Sequence, residues 1–113
     1  MNIEDIRNYV LQKAHVEECF PFGPDTLVFK THQKIFLLVG LDDEPLRFNA
    51  KCHPEHAIEL RETYPQNILP GYHMNKKHWN TIVVPGLKPT LIKELIDISY
   101  QLVHPTSKKK LST

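Results

Sequence analysis

Lys76-Lys77 is the pair of side chains in this sequence best suited to meet a polyanion. Each ammonium can sit against a phosphate and release a counterion, which gives affinity without sequence information. The pair stands in an unusual setting, Pro70-Gly71-Tyr72-His73-Met74-Asn75-Lys76-Lys77-His78-Trp79-Asn80-Thr81, which holds the chain's single tryptophan. His73, Asn75, His78 and Asn80 add hydrogen-bonding groups around the lysines, and Trp79 offers a ring on which a base can stack. Arg47 and Lys51 share a strand face with Asn49 and extend the basic set. A lone lysine pair is usually a solvated turn, and a tryptophan at the head of a strand is more often core than contact. The mixture makes the stretch a candidate nucleic-acid contact: His73, Asn75, Lys76, Lys77, His78, Trp79 and Asn80, with Arg47 and Lys51 beside them.

Other chemistries find less support. His53 and His56 straddle a helix start next to Cys52, and His73 and His78 lie five apart. No acidic ligand or second cysteine joins either pair at zinc-like spacing, so no metal ligand is assigned. Cys52-His53 is adjacent in sequence, which does not usually bring the two side chains together. There is no glycine-rich phosphate loop and no G-x-S-x-G. The expectation is a noncatalytic protein without a cofactor.

The 113 residues allow one domain with one core. Formal charge is 14 − 13 = +1 with histidine neutral, so nucleic-acid binding requires a local patch rather than a uniformly basic surface. The N-terminus, Met1-Asn2-Ile3-Glu4-Asp5, does not read as a secretory signal. The longest apolar run, Ile35 to Val39, is strand-sized and far below the roughly 18 residues of a membrane span. Cys19 and Cys52 read as reduced, buried thiols rather than a disulfide. A cytoplasmic monomer without membrane contact is expected.

The elements that must position these residues follow from periodicity. Asn2 to about Ala14 reads as a helix with Asn2 as cap and Asp5 answering it, and with Ile3, Ile6, Val10 and Ala14 on one face. A short strand over 16–20, a proline- and glycine-rich turn over 21–25 and a strand over 26–30 come next. Thr31-His32-Gln33-Lys34 then forms a hairpin connection without glycine, leading into a central strand over 35–39. After the acidic loop 40–45, Leu46, Phe48 and Ala50 alternate with Arg47, Asn49 and Lys51, marking a half-buried strand. Pro54 opens a second helix that stops near Tyr64, before Pro65. Gln66 to Pro70 reads as a connector and Trp79 to Val84 as a strand. Pro89 to Val103 is the longest helix, with Leu91, Ile92, Leu95, Ile96, Ser99, Leu102 and Val103 as its stripe. The sum is an α+β two-layer sandwich, an antiparallel sheet packed against helices, over residues 1–104, followed by a basic flexible tail over 105–113.

Three blocks of the chain resemble the MmcQ/YjbR family. They are Phe20-Pro21-Phe22-Gly23-Pro24-Asp25-Thr26-Leu27-Val28-Phe29-Lys30, then Lys51-Cys52 with Pro54-Glu55 and Leu60-Arg61-Glu62-Thr63-Tyr64-Pro65, and finally the Pro70–Thr81 stretch. The resemblance runs to about Val103. It implies a small bacterial cytoplasmic protein with a fold like that of CyaY, the bacterial frataxin, binding DNA through a double wing of β elements. His53, where the family usually has an acidic residue, the hairpin without glycine and the lysine tail depart from the pattern. The runner-up reading is a protein-interaction module that meets a protein partner through Tyr72 and Trp79.

Overall fold

The computed structural model describes residues 1–72 and 74–104; His73 and the expected tail, 105–113, lie outside the described residues. The element order is α1 (Ile3–Leu11), β1 (Val16–Cys19), β2 (Thr26–Thr31), β3 (Lys34–Gly40), β4 (Arg47–Lys51), α2 (Pro54–Thr63), β5 (Ile68–Pro70), β6 (Trp79–Val83) and α3 (Pro89–Val103). All six strands form one antiparallel sheet in the order β1-β2-β3-β4-β6-β5. The expected α+β architecture, a sheet packed against helices, is the observed one.

Period-two alternation explains the layering. Leu27 and Phe29, Leu37 and Val39, Phe48 and Ala50, and Ile82 turn to one face. There they meet Ile6 and Val10 of α1, Ala57 and Leu60 of α2, and Ile92, Leu95, Ile96 and Val103 of α3 in a single core. The intervening residues face the other way. Val28, Leu38 and Trp79 form a second, smaller buried cluster there, with Cys19, Ile35 and Met74 packed around it. The sheet therefore carries helices on one face and a partly covered apolar surface on the other.

Local chemistry fixes the element ends. The Asn2 side chain accepts from the Asp5 amide at 2.8 Å, and Asp5 accepts from the Asn2 amide at 3.0 Å, the reciprocal capping box. The helix stops at Leu11, earlier than the expected Ala14: Gln12 caps it and His15 follows in the left-handed region with φ 60°. The β2–β3 hairpin turns on His32 and Gln33, with φ 50° and 68°, the double left-handed geometry of a tight hairpin achieved without glycine.

The connector expected over 66–70 is instead an edge strand, β5, whose Ile68, Leu69 and Pro70 pair with Ile82, Thr81 and Asn80. Three residues ending in proline offer too little alternation to announce a strand; only the partner's open edge makes one.

Ser99 of α3 stitches helix to sheet. Its hydroxyl donates to the Phe36 carbonyl at 2.5 Å and accepts from the Lys51 amide at 2.8 Å. It is fully buried, and it occupies the gap where the β3–β4 ladder ends at Leu37 and Ala50.

Candidate nucleic-acid interface

The segment from Gly71 to His78 is a loop joining β5 to β6, and its own backbone makes it compact. The Gly71 amide donates to the Trp79 carbonyl at 2.9 Å, closing the base. At the far end the His78 and Trp79 amides both donate to the Asn75 carbonyl, at 3.2 and 3.0 Å, while Asn75 Oδ1 accepts from the Lys77 amide at 2.9 Å. An asparagine side chain that mimics a backbone turn in this way is a common device for a tight loop. Gly71 is required by proximity: a Cβ there would stand 2.8 Å from Trp79 Cβ and 2.9 Å from its carbonyl oxygen.

Three outside groups hold the loop against the body. The Cys52 amide donates to the His78 carbonyl at 2.8 Å. The Tyr72 amide donates to Thr81 Oγ1 at 3.0 Å, and that hydroxyl in turn donates to Asn49 Oδ1 at 2.5 Å. Arg61 of α2 donates through Nη1 to the Lys76 carbonyl and to Asn80 Oδ1, both at 3.1 Å. Sequence reasoning placed Arg61 only on the side of its helix. Nothing in its local spacing shows that its guanidinium reaches a loop fifteen residues on.

On this frame Asn75, Lys76, Lys77 and His78 are all exposed. Lys51 pairs with Trp79 across β4 and β6 and adds a cation at the loop's base, its Nζ 5.8 Å from the indole centroid. Two of the expected contact residues do not face outward. Trp79 is 8% exposed and packs on Val28 and Leu38, so its ring belongs to the second core cluster. Asn80, the next residue along the strand, is 2% exposed on the helix side, where Nδ2 donates to the Ala57 carbonyl at 3.4 Å. Adjacent strand residues take opposite faces, and here both faces are covered. Arg47 is half-buried at the far end of β4, four residues from Lys51, or about 13 Å at the usual strand rise. Its pairing partner is Val83, so the fold does not bring it to the lysines. Expected contacts thus reduce to Asn75, Lys76, Lys77, His78 and Lys51 among the described residues.

Burial pushes the Cys52 thiol up from its ordinary value, outweighing a backbone hydrogen bond at His53 and the nearby Arg61 charge, which favours the protonated, unreactive form at neutral pH. Cys19 and Cys52 are both free thiols. Among the described residues no three histidine, cysteine or acidic side chains are placed to hold a metal ion, and no helix is long and apolar enough to cross a membrane.

Among the described residues a single antiparallel sheet with three helices on one face and a tethered cationic loop at its margin defines a small α+β protein. The comparisons give the class a name. The YjbR family model matches residues 11–102, and the chain belongs to the YjbR family. It is 42% identical over 103 residues to the uncharacterized protein YbdF of Escherichia coli O157:H7, covering 88% of this chain and 82% of that one. It is 29% identical over 115 residues to the uncharacterized protein YjbR of Escherichia coli strain K12, covering 98% and 97%. The crystal structure of Deinococcus radiodurans protein DR2400 superposes with a TM-score of 0.86 at 40% identity, covering 90% of this chain and 78% of that one. A solution structure of a Pseudomonas syringae protein gives 0.75 at 28% identity, covering 90% and 92%.

Proposed function

We propose that this chain is a noncatalytic DNA-binding protein of the bacterial cytoplasm, contacting phosphate through Lys76 and Lys77. The observation that carries the reading is the loop's construction: both lysines and His78 are exposed on a segment pinned by Cys52, Thr81 and Arg61. A pre-ordered loop loses little conformational freedom on binding, so its charges act at full strength. Asn75 and His78 add polar contacts, and Lys51 extends the cationic set along β4. The contacts are to backbone phosphate, so binding is weakly dependent on sequence. The double-wing arrangement and the CyaY-like fold implied by the family resemblance belong to this proposal, with the β5–β6 loop as one wing and the His32-Gln33 hairpin as the other.

Fluorescence anisotropy with labelled duplex and single-stranded DNA, at low and moderate salt, tests it. Binding that weakens linearly in log salt is expected. Absence of binding to either DNA at low salt would reject it.

The second reading, a protein-interaction module, rests on three exposed aromatics: Phe20 at 50%, Phe22 at 64% and Tyr72 at 72%. With Trp79 buried, Tyr72 alone remains of the surface on which that reading was based. A partner retained from lysate after nuclease treatment, and lost on Tyr72→Ala, would favour it over DNA.

A further inference from the structure

The sheet face away from the helices holds a groove of about 620 Å³, a size typical of small-molecule sites. Leu38 and Asn49 contribute to it from the strands. Phe22, from the turn after β1, and Tyr72, from the β5–β6 loop, line it while remaining largely exposed. Asp25, from the same turn as Phe22, and Asp42 and Asp43, from the β3–β4 loop, bring three carboxylates.

Among the described residues no ion pair neutralises those carboxylates. The ion pairs among the described residues are Arg7–Glu18 and Lys13–Asp97, and neither reaches the groove. The like charge of Asp42, with a hydrogen bond between the two, holds the Asp25 carboxyl above its usual range. Gly40 leaves room for the Asp43 carboxylate, since a Cβ there would come within 2.1 Å of Asp43 Oδ2.

We propose that this groove binds a small organic polycation of the aliphatic polyamine class. Aromatic faces attract ammonium groups through their quadrupoles, and a hydrogen-bonded carboxyl pair with a third carboxylate lining the same groove matches a ligand carrying more than one charge. A bare metal ion fits less well, because the three carboxylates are not placed to hold an ion and would leave the aromatic pair without a role. The site is independent of the DNA reading, although one loop serves both: Tyr72 and Met74 line the groove, and Lys76 and Lys77 stand further along it.

The test is an amide-resolved NMR titration of the full chain with spermidine, with Mg²⁺ and an acetylated lysine amide as comparison ligands. Spermidine should shift Asp25, Gly40, Asp43 and Tyr72 with saturation in the millimolar range or below. Asp25→Asn with Asp42→Asn should weaken it about tenfold or more, roughly 1.4 kcal/mol per decade, with the melting temperature retained. Tyr72→Ala should weaken it as well. Four results would each overturn the proposal: no shifts by about 10 mM spermidine, a weaker ligand than most specific sites tolerate; shifts that map elsewhere; equal affinity for Mg²⁺ or the single ammonium; or an affinity indifferent to the aspartate changes.

Discussion

Gly71 and Trp79 decide the shape of the cationic loop one contact at a time. The glycine lets the chain pass within van der Waals distance of Trp79, and the indole fills the space between Val28 and Leu38. Gly71→Ala should push the loop away from β6, because the obstructing atoms include backbone that cannot swing aside. Faster amide exchange at Gly71, His78 and Trp79 is the expected readout. Trp79→Ala empties a well-packed site and should cost about 3 kcal/mol in urea unfolding, at the lower end for large aromatic truncations because its cluster is small. The same burial makes a spectroscopic prediction. Indole emission should be blue-shifted and should change little on DNA addition. Strong quenching would return Trp79 to the contact set.

Between elements, polar groups on α3 hold positions that apolar packing alone would leave loose. Ser99 serves a β3 carbonyl and a β4 amide at once. Ser99→Ala keeps the volume nearly constant but leaves both groups buried without that partner, so it should destabilise by about 1–3 kcal/mol despite being a small change. Asp97 joins α3 to α1 by accepting from the Tyr9 hydroxyl at 2.7 Å and pairing with Lys13 at 2.5 Å. Desolvation, reinforced by that hydrogen bond and the Asp97 charge, pushes the Tyr9 phenol up to about 12. The folded phenol then holds its proton where the unfolded one, with a pKa near 10, has lost it. Its stabilising contribution is complete below pH 10 and disappears as pH rises toward 12. Thermal melts across that window should show a steeper decline for the wild type than for Tyr9→Phe.

For the whole molecule, net charge says little and its distribution says more. A formal charge of +1 hides a cationic loop tip and an acidic groove served by one segment. If Lys76 and Lys77 each meet a phosphate, replacing both with alanine should reduce the slope of log K against log salt by about two units. Arg47→Ala should leave that slope unchanged, since the arginine lies at the other end of β4. A titration of the two variants in parallel separates loop-specific contact from general attraction.

How much of this was legible beforehand depends on the range of the interactions involved. The helix cap at Asn2, the glycine-free hairpin, the alternation in β4 and the stripe of α3 were readable because each depends on residues a few positions apart. So was the Pro70–Thr81 stretch as a unit, and its family signature agrees with the family match. The β5 edge strand, the inward turn of Trp79 and Asn80, the reach of Arg61 to Lys76 and the gathering of three turns around one groove were not. Each depends on residues far apart in the chain, and a local pattern cannot say whether a strand residue faces solvent or a second layer. The sequence alone determined that Lys76 and Lys77 sit in a chemically dense segment. Tertiary packing alone decided that the tryptophan beside them anchors the loop from within while the lysines remain outside.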